Sequence, residues 1–242
     1  MPIPIDERYK AHVLNLRALE SAHTQIARQL NFAVAAEQSA AIKALLKTYI
    51  LLIGAWAEVR LLKLLHEPAA FSEDERAKVF ACQNQLTMWK MTLEIGLRRR
   101  YAVGVGALSI QNVPATAFLR YRELDRLLDE DLEPVIGIRN KLAHGQWERT
   151  FTNSLDEISH EMMTLLNGEN ALSCKFKKSI IEYISRIIHD LAVGGVAFER
   201  DFDEHYRFIT IYQNQLTSRS YTKWEKQQVS KLKRGRARSL MQ

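Results

Sequence analysis

Tyr49-Ile-Leu-Leu-Ile-Gly-Ala-Trp-Ala-Glu-Val-Arg-Leu-Leu-Lys-Leu-Leu65 decides the fold. At about 100° per residue its apolar side chains fall on most sides of a helix, interrupted only by Glu58, Arg60 and Lys63. A surface helix keeps one polar face. A helix apolar on most sides is central in a bundle. The run belongs to a longer helix, Ala35 to His66, poor in breakers apart from Gly54 and ended by Pro68. No alternating strand pattern exceeds a few residues, and neither a 20–50-residue repeat nor a heptad run is present. The expected fold class is all-α, an up-and-down helical bundle with additional terminal helices.

The flanking sequence has the same character. Asp6 to Leu30 carries Val13, Leu16, Leu19, Ile26 and Leu30 at helical spacing. Ser72, with Glu75 three residues on, has the form of a capping box, and predicts one helix through Trp89 to about Arg100. Tyr101 to Leu119 is uncharged, but Gly104, Gly106, Gln111, Asn112 and Pro114 break it, so it reads as an irregular connection. Amphipathic helices are then expected over Ala115–Asp129, Ser154–Leu166, Phe176–Val193 and Phe198–Gln213.

The chain has 242 residues, 47% hydrophobic and 26% charged, the composition of a soluble globular protein able to bury a substantial core. Residues 1–216 read as one helical domain and 217–242 as a basic C-terminal tail. The tail holds Arg219, Lys223, Lys226, Lys231, Lys233, Arg234, Arg236 and Arg238 against Glu225, a formal charge of +7. The total is +6, so the remainder carries about −1. Cys82 and Cys174 are far apart, make no metal pattern, and read as reduced, buried thiols. The N-terminus lacks a basic region followed by an apolar core, and Thr48 to Ala57 is about half the length of a membrane span. The expected location is cytoplasmic, without membrane association.

Function is sought in Pro134-Val-Ile-Gly-Ile-Arg-Asn-Lys-Leu-Ala-His144-Gly145. Asp131 is the expected N-cap, Glu133 and Pro134 suit the first turn, and Gly145 suits a left-handed stop. Val135, Ile138 and Leu142 form a core stripe. Asn140 and His144, four apart, stack on a second face, with Ile136 and Ala143 beside them. Gly137 leaves room next to His144, Arg139 falls between the faces, and Lys141 points elsewhere. Such a mixed second face on a short helix suits a partner or substrate. RNA can be cut without a metal when its 2′-hydroxyl attacks the neighbouring phosphorus. Histidine supplies a group titrating near neutrality, and arginine a fixed planar cation matched to phosphate oxygens. Asn140 could hold the imidazole or a phosphate oxygen. The competing reading makes Arg139 a structural ion-pair partner and His144 a cation at a helix C-terminus.

Arg139-Asn140-x-x-x-His144 resembles the Arg-x4-6-His signature of the HEPN superfamily, all-helical nucleotide- and RNA-binding domains that include metal-independent RNases of toxin–antitoxin and phage-defence systems. The signature covers six residues, and the helical pattern around it runs from about Ala35 to Ile188. The resemblance implies a homodimer in which paired motifs form the RNase site, with no cofactor and no metal. It implies single-stranded RNA as substrate and an antitoxin or defence-system partner protein. An RNA-, nucleotide- or protein-binding adaptor without catalysis is the alternative. Some HEPN toxins carry a modifiable tyrosine two residues after the histidine. Here that position is Gln146, followed by Trp147, so that mode of regulation is not implied.

Further candidates stand beside bland alternatives. Glu58, inside the most apolar helix, is either a partner of Arg139 or a residue at the bundle edge, solvated or loosely paired with a nearby cation. Arg98, Arg99 and Arg100 could track a phosphate backbone or merely end a helix with cations. Lys141 adds a cation to the motif itself. Lys223 and Trp224 could hold RNA by charge and stacking, or belong to a disordered or antitoxin-binding end. Gly104-x-Gly106 lacks the context of a phosphate loop. His12, His23, His66, His160, His189 and His205 show no metal-ligand spacing and read as ordinary surface or core histidines.

Overall fold

The computed structural model describes residues 3–239. Its described residues are all-α apart from one isolated bridge between Phe151 and Ile158. Helices α1 (Ile5–Ala35) and α2 (Ser39–His66) form a long antiparallel hairpin. Glu37 makes the turn at φ 57°, a left-handed value. The central role expected of α2 is observed: it packs against α1, α4 (Gln85–Arg100), α6 (Glu133–Ala143) and α8 (Ala171–Ala192). Tyr49, Ile53, Trp56, Ala57, Leu61 and Leu65 are buried there. By length and composition α2 is also apolar enough to cross a membrane, more than Thr48–Ala57 alone suggests, and it is the core helix of this fold. Helices α8 and α9 (Ala197–Ser218) form a second hairpin, and α10 (Tyr221–Ser239) lies along α1.

Four segments differ from expectation, each for a local reason. The helix expected from Ser72 to Arg100 is two, α3 (Glu73–Phe80) and α4. The Ser72–Glu75 capping box is present, but the Asn84 carboxamide accepts a bond from the Thr87 N–H at 2.9 Å and starts a new helix. Asp131 does not cap the motif helix. Helix α5 (Ala115–Leu127) runs into α6 through a π-helical turn at Leu128–Leu132, and the Asp131 carboxylate instead accepts a bond from the Gln213 amide at 2.8 Å. Pro134 explains the wider turn: it has no N–H to give, and its ring would press on the carbonyl of Glu130 four residues back.

The helix expected at Ser154 begins only at His160, as α7 (His160–Gly168), capped by Ser159. Before it, Thr150 and Ser159, then Thr152 and Glu157, pair their backbones into a small hairpin. The hydroxyls of Thr152 and Ser154 donate to Asp156, and such local bonds compete with helix. Helix α8 starts five residues before Phe176, where Asn170 accepts from the N–H groups of Leu172 and Ser173. Residues 101–114 are irregular, as expected.

Candidate functional site: the groove between α2 and α6

Helix α6 places the motif. Its core stripe is as expected, with Val135, Ile138 and Leu142 buried, but Ile136 is buried too and does not belong to the open face. The helix ends at His144, the C-cap, and Gly145 takes φ 77°. The Gln146 N–H reaches the Lys141 carbonyl at 2.9 Å and the Gly145 N–H reaches Leu142 at 3.1 Å, the paired bonds of a left-handed helix stop. His144 and Asn140 are exposed, one turn apart.

Arg139 of α6 lies over Gly54 of α2, and beyond the helix stop Glu148 pairs with Lys47 at 2.6 Å. A Cβ at Gly54 would stand 2.5 Å from the Arg139 Cβ and 2.6 Å from its Cγ, so the notch of a missing side chain admits the arginine stem. Glu58 lies four residues beyond Gly54, on the same face of α2. The Arg139 guanidinium reaches it there and also donates to the Asn140 carboxamide oxygen at 2.9 Å. The ion pair is partly exposed, with side-chain accessibilities of 27% for Arg139 and 40% for Glu58. Glu58 is therefore neither isolated in the core nor free at the edge. It neutralises and orients the motif arginine.

These residues line a groove of about 1470 Å³. Arg139, Asn140, Lys141 and His144 form one side and Glu58, Leu61 and Leu62 belong to α2. The turn before α4 contributes Cys82, Gln83 and Asn84, and the hairpin contributes Phe151, Asn153 and Leu155. Cys82 is half-buried at this wall, not a core thiol, whereas Cys174 is buried, which pushes its pKa up. The room expected beside Gly137 is taken by the Met162 methyl, which would be 2.9 Å from a Cβ there.

Lys141 does not point away from the site. Its ammonium donates to the Phe151 carbonyl at 2.6 Å and to the Asn153 side chain at 3.4 Å. The Gln146 carboxamide oxygen accepts from the Phe151 N–H at 2.8 Å. The two side chains clamp one peptide segment and so position the hairpin wall. Gln146, noted in sequence as the absence of a tyrosine, thus has a structural role. Neither the clamp nor the Gly54 notch carries a sequence signature.

The remaining nucleic-acid candidates lie apart from the motif. Arg98 donates to Glu94 and to the carbonyls of Gly104 and Gly106, at 2.6 and 2.7 Å for the two carbonyls. Arg99 donates to the Ala69 carbonyl, and its guanidinium lies 5.7 Å from the centre of the Phe71 ring. Arg100 makes a two-pronged bond to Glu199 at 3.0 and 2.8 Å. This triplet ties the irregular connection and α9 to α4. Lys223 is exposed on α10, but Trp224 is half-buried against Tyr221 and the hydrophobic core, which leaves only part of its ring open. The tail is helical through Ser239, and the side chains of Arg236 and Arg238 lie outside the described residues.

The largest histidine shifts also lie outside the groove. Burial first, then the Lys178 cation, lowers His23 to about 4. The Asp190 carboxylate, 3.7 Å away, and then Glu67, within hydrogen-bond reach at 3.2 Å, raise His189 to about 9, and the His189 bond holds Glu67 down at about 2. Among the described residues no group of His, Cys, Asp and Glu is arranged to hold a metal ion. Comparison with known proteins finds no match: no family model, curated protein or solved structure aligns with the chain.

Proposed function

We propose that this chain is a HEPN-like endoribonuclease that cuts single-stranded RNA without a metal, as a homodimer, in the manner of a toxin or antiviral defence effector. The observation that carries the reading is the shared groove: Arg139, Asn140 and His144 line one open cleft, with the arginine held by Glu58. One such face supplies one histidine. A two-fold copy supplies a second, so that one imidazole takes the 2′-hydroxyl proton and the other gives a proton to the leaving 5′-oxygen. The 2′-oxygen–phosphorus bond forms as the 5′-oxygen–phosphorus bond breaks, leaving a 2′,3′-cyclic phosphate and a 5′-hydroxyl. The arginines stabilise the crowded anionic phosphorus between those states. Glu58 holds one edge of the Arg139 guanidinium, and its remaining N–H donors can meet a phosphate oxygen.

The test is cleavage of single-stranded RNA in excess EDTA. Activity is expected to persist, and Arg139→Ala or His144→Ala to stop it with the helical circular dichroism unchanged. EDTA-sensitive cleavage, or full activity of the His144→Ala protein, overturns the proposal. The ion pair itself favours a second reading, because an arginine already bound to Glu58 and Asn140 suits a fixed binding groove. That non-catalytic adaptor would bind RNA, a nucleotide or a partner protein and leave RNA intact.

A further inference from the structure

From α10 we infer that the protein has a second, separate nucleic-acid surface, which holds the sugar–phosphate backbone of single-stranded RNA by charge alone. The helix is divided along its length. At about 100° per residue, Tyr221, Trp224, Gln228 and Leu232 fall on one side, and all four are half-buried. Tyr221 and Trp224 pack on the hydrophobic core, and α10 lies along α1. Lys223, Lys226, Lys233 and Arg234 fall opposite, Lys231 lies at the edge of the packed side about 20° from Trp224, and all five are exposed. Among the described residues one ion pair involves these cations, Lys233 with Glu37 at 3.5 Å, where both partners are largely exposed. A well-solvated pair at this separation is easily exchanged for another anion. From Lys223 to Arg234 the cations extend about 16 Å along the helix at roughly 1.5 Å per residue.

This arrangement fits a polyanion met by charge and disfavours insertion into lipid; anionic headgroups met at a membrane surface are told apart by vesicle capture. A helix that enters a lipid surface needs a free apolar face. Here the apolar side is used against the protein, so only charge faces outward. Base stacking is best served by an open ring face, and the half-buried Trp224 has its ring against Tyr221 and the core. A flexible phosphate chain asks for neither. The surface should be indifferent to base sequence and strongly sensitive to salt. It does not depend on the groove chemistry proposed above.

The experiment uses the full chain and a fluorescent 2′-O-methyl oligouridine, which has no 2′-hydroxyl and cannot be cut whatever the groove does. Five contacts on α10 contribute about −3.5 to the slope of log K against log salt, at roughly −0.7 per phosphate neutralised, beside any contribution from the groove. The variant Lys223→Gln, Lys226→Gln, Lys231→Gln, Lys233→Gln, Arg234→Gln should lose most of the α10 contribution. Single substitutions should each remove about 0.7 of it. Trp224→Leu should keep the affinity, and an oligoadenosine probe should bind equally. An unchanged slope in the five-fold variant overturns the inference, as does loss of binding in a folded Trp224→Leu protein or a marked base preference. Capture by phosphatidylserine vesicles without capture of the oligonucleotide overturns it in favour of lipid. Oligonucleotide binding without cleavage of ordinary RNA leaves this surface standing and removes the ribonuclease. Cleavage with an unaltered salt slope does the reverse.

Discussion

Two basic segments, Arg98-Arg99-Arg100 at the end of α4 and Arg139 to His144 at the end of α6, look comparable as sequence and differ in what the fold brings to them. In the first, all three guanidinium groups are engaged by the protein, on Glu94, Glu75, three backbone carbonyls and the Glu199 carboxylate, with Arg99 the most exposed of the three. In the second, Arg139 is neutralised by a partly exposed acid while Asn140 and His144 remain open to a groove. Local charge density therefore says little about a site. What matters is whether the fold brings acceptors to the charge, and those acceptors lie up to 99 residues away in the chain.

The largest expected effect separates the two segments by function. His144→Ala should lower RNA cleavage by about 10²–10⁴-fold, the usual worth of general acid–base assistance. Arg100→Ala, measured in the same assay at saturating RNA, should leave the rate unchanged. A cleavage defect in Arg100→Ala as deep as that in His144→Ala would erase the distinction and return the triplet to the substrate path.

Next comes the mechanical support of the groove. Helix propensity alone says that Gly54→Ala should stabilise α2 by about 1 kcal/mol. The packing says the opposite, since the new methyl would stand 2.5 Å from the Arg139 Cβ. Overpacking of this kind costs about 1–3 kcal/mol. The urea midpoint should therefore fall, and cleavage should fall with it as α6 and its arginine are displaced from α2. A raised midpoint would mean that the helices have room between them, and that Gly54 does not set the position of Arg139.

A third measurement assigns the pH dependence of stability to the scaffold. His189 is raised from its ordinary 6.5 to about 9, so its contribution is full below 6.5 and lost as pH climbs through about 9. Glu67 is lowered from 4.5 to about 2, so its contribution is full above 4.5 and lost as pH falls toward about 2. On these two groups stability is greatest between pH 4.5 and 6.5. Urea midpoints from pH 5 to 9 should decline toward the alkaline end, and His189→Gln should flatten that decline without altering cleavage at pH 7. A decline that survives the substitution places its origin elsewhere.

How much of this was legible in sequence follows from the range of the interactions. The all-α class was legible, because the apolar density of Tyr49–Leu65 and the periodicity around it are local properties. So was the stop at Gly145, whose left-handed turn is also local. Boundaries failed where short-range chemistry competed: Asn84 restarting a helix, Pro134 widening a turn, and Thr152, Ser154 and Asp156 folding a hairpin instead of a helix turn. In the groove, Arg139, Asn140, His144 and Glu58, all singled out in sequence, are brought together, and a lone acid in an apolar helix is conspicuous. The Gly54 notch and the clamp of Lys141 and Gln146 on Phe151 were not legible, because each is defined by a partner on another segment. Lys141 illustrates the limit. Its angular position on an ideal helix turned it away from the motif face, but the hairpin that it holds comes around to meet it.

The smallest effect is also the sharpest check on the arginine triplet. Arg100 meets Glu199 with two bonds, and Tyr101 donates to the same carboxylate at 2.6 Å. Two-pronged geometry strengthens such a pair, but both side chains are partly solvated, at 27% and 38% accessibility. Exposed pairs are worth about 0.2–1 kcal/mol, so Arg100→Ala should lower stability by less than about 1 kcal/mol. Glu199→Gln removes the charge that both Arg100 and Tyr101 address, while leaving an oxygen to accept one bond. A double-mutant cycle between Arg100→Ala and Glu199→Gln should therefore return a small positive coupling in urea unfolding. Zero coupling would mean that the pair is decorative. In that case Arg100 would be as available to an incoming phosphate as the sequence alone suggested, and the contrast with Arg139 would have to rest on the groove alone.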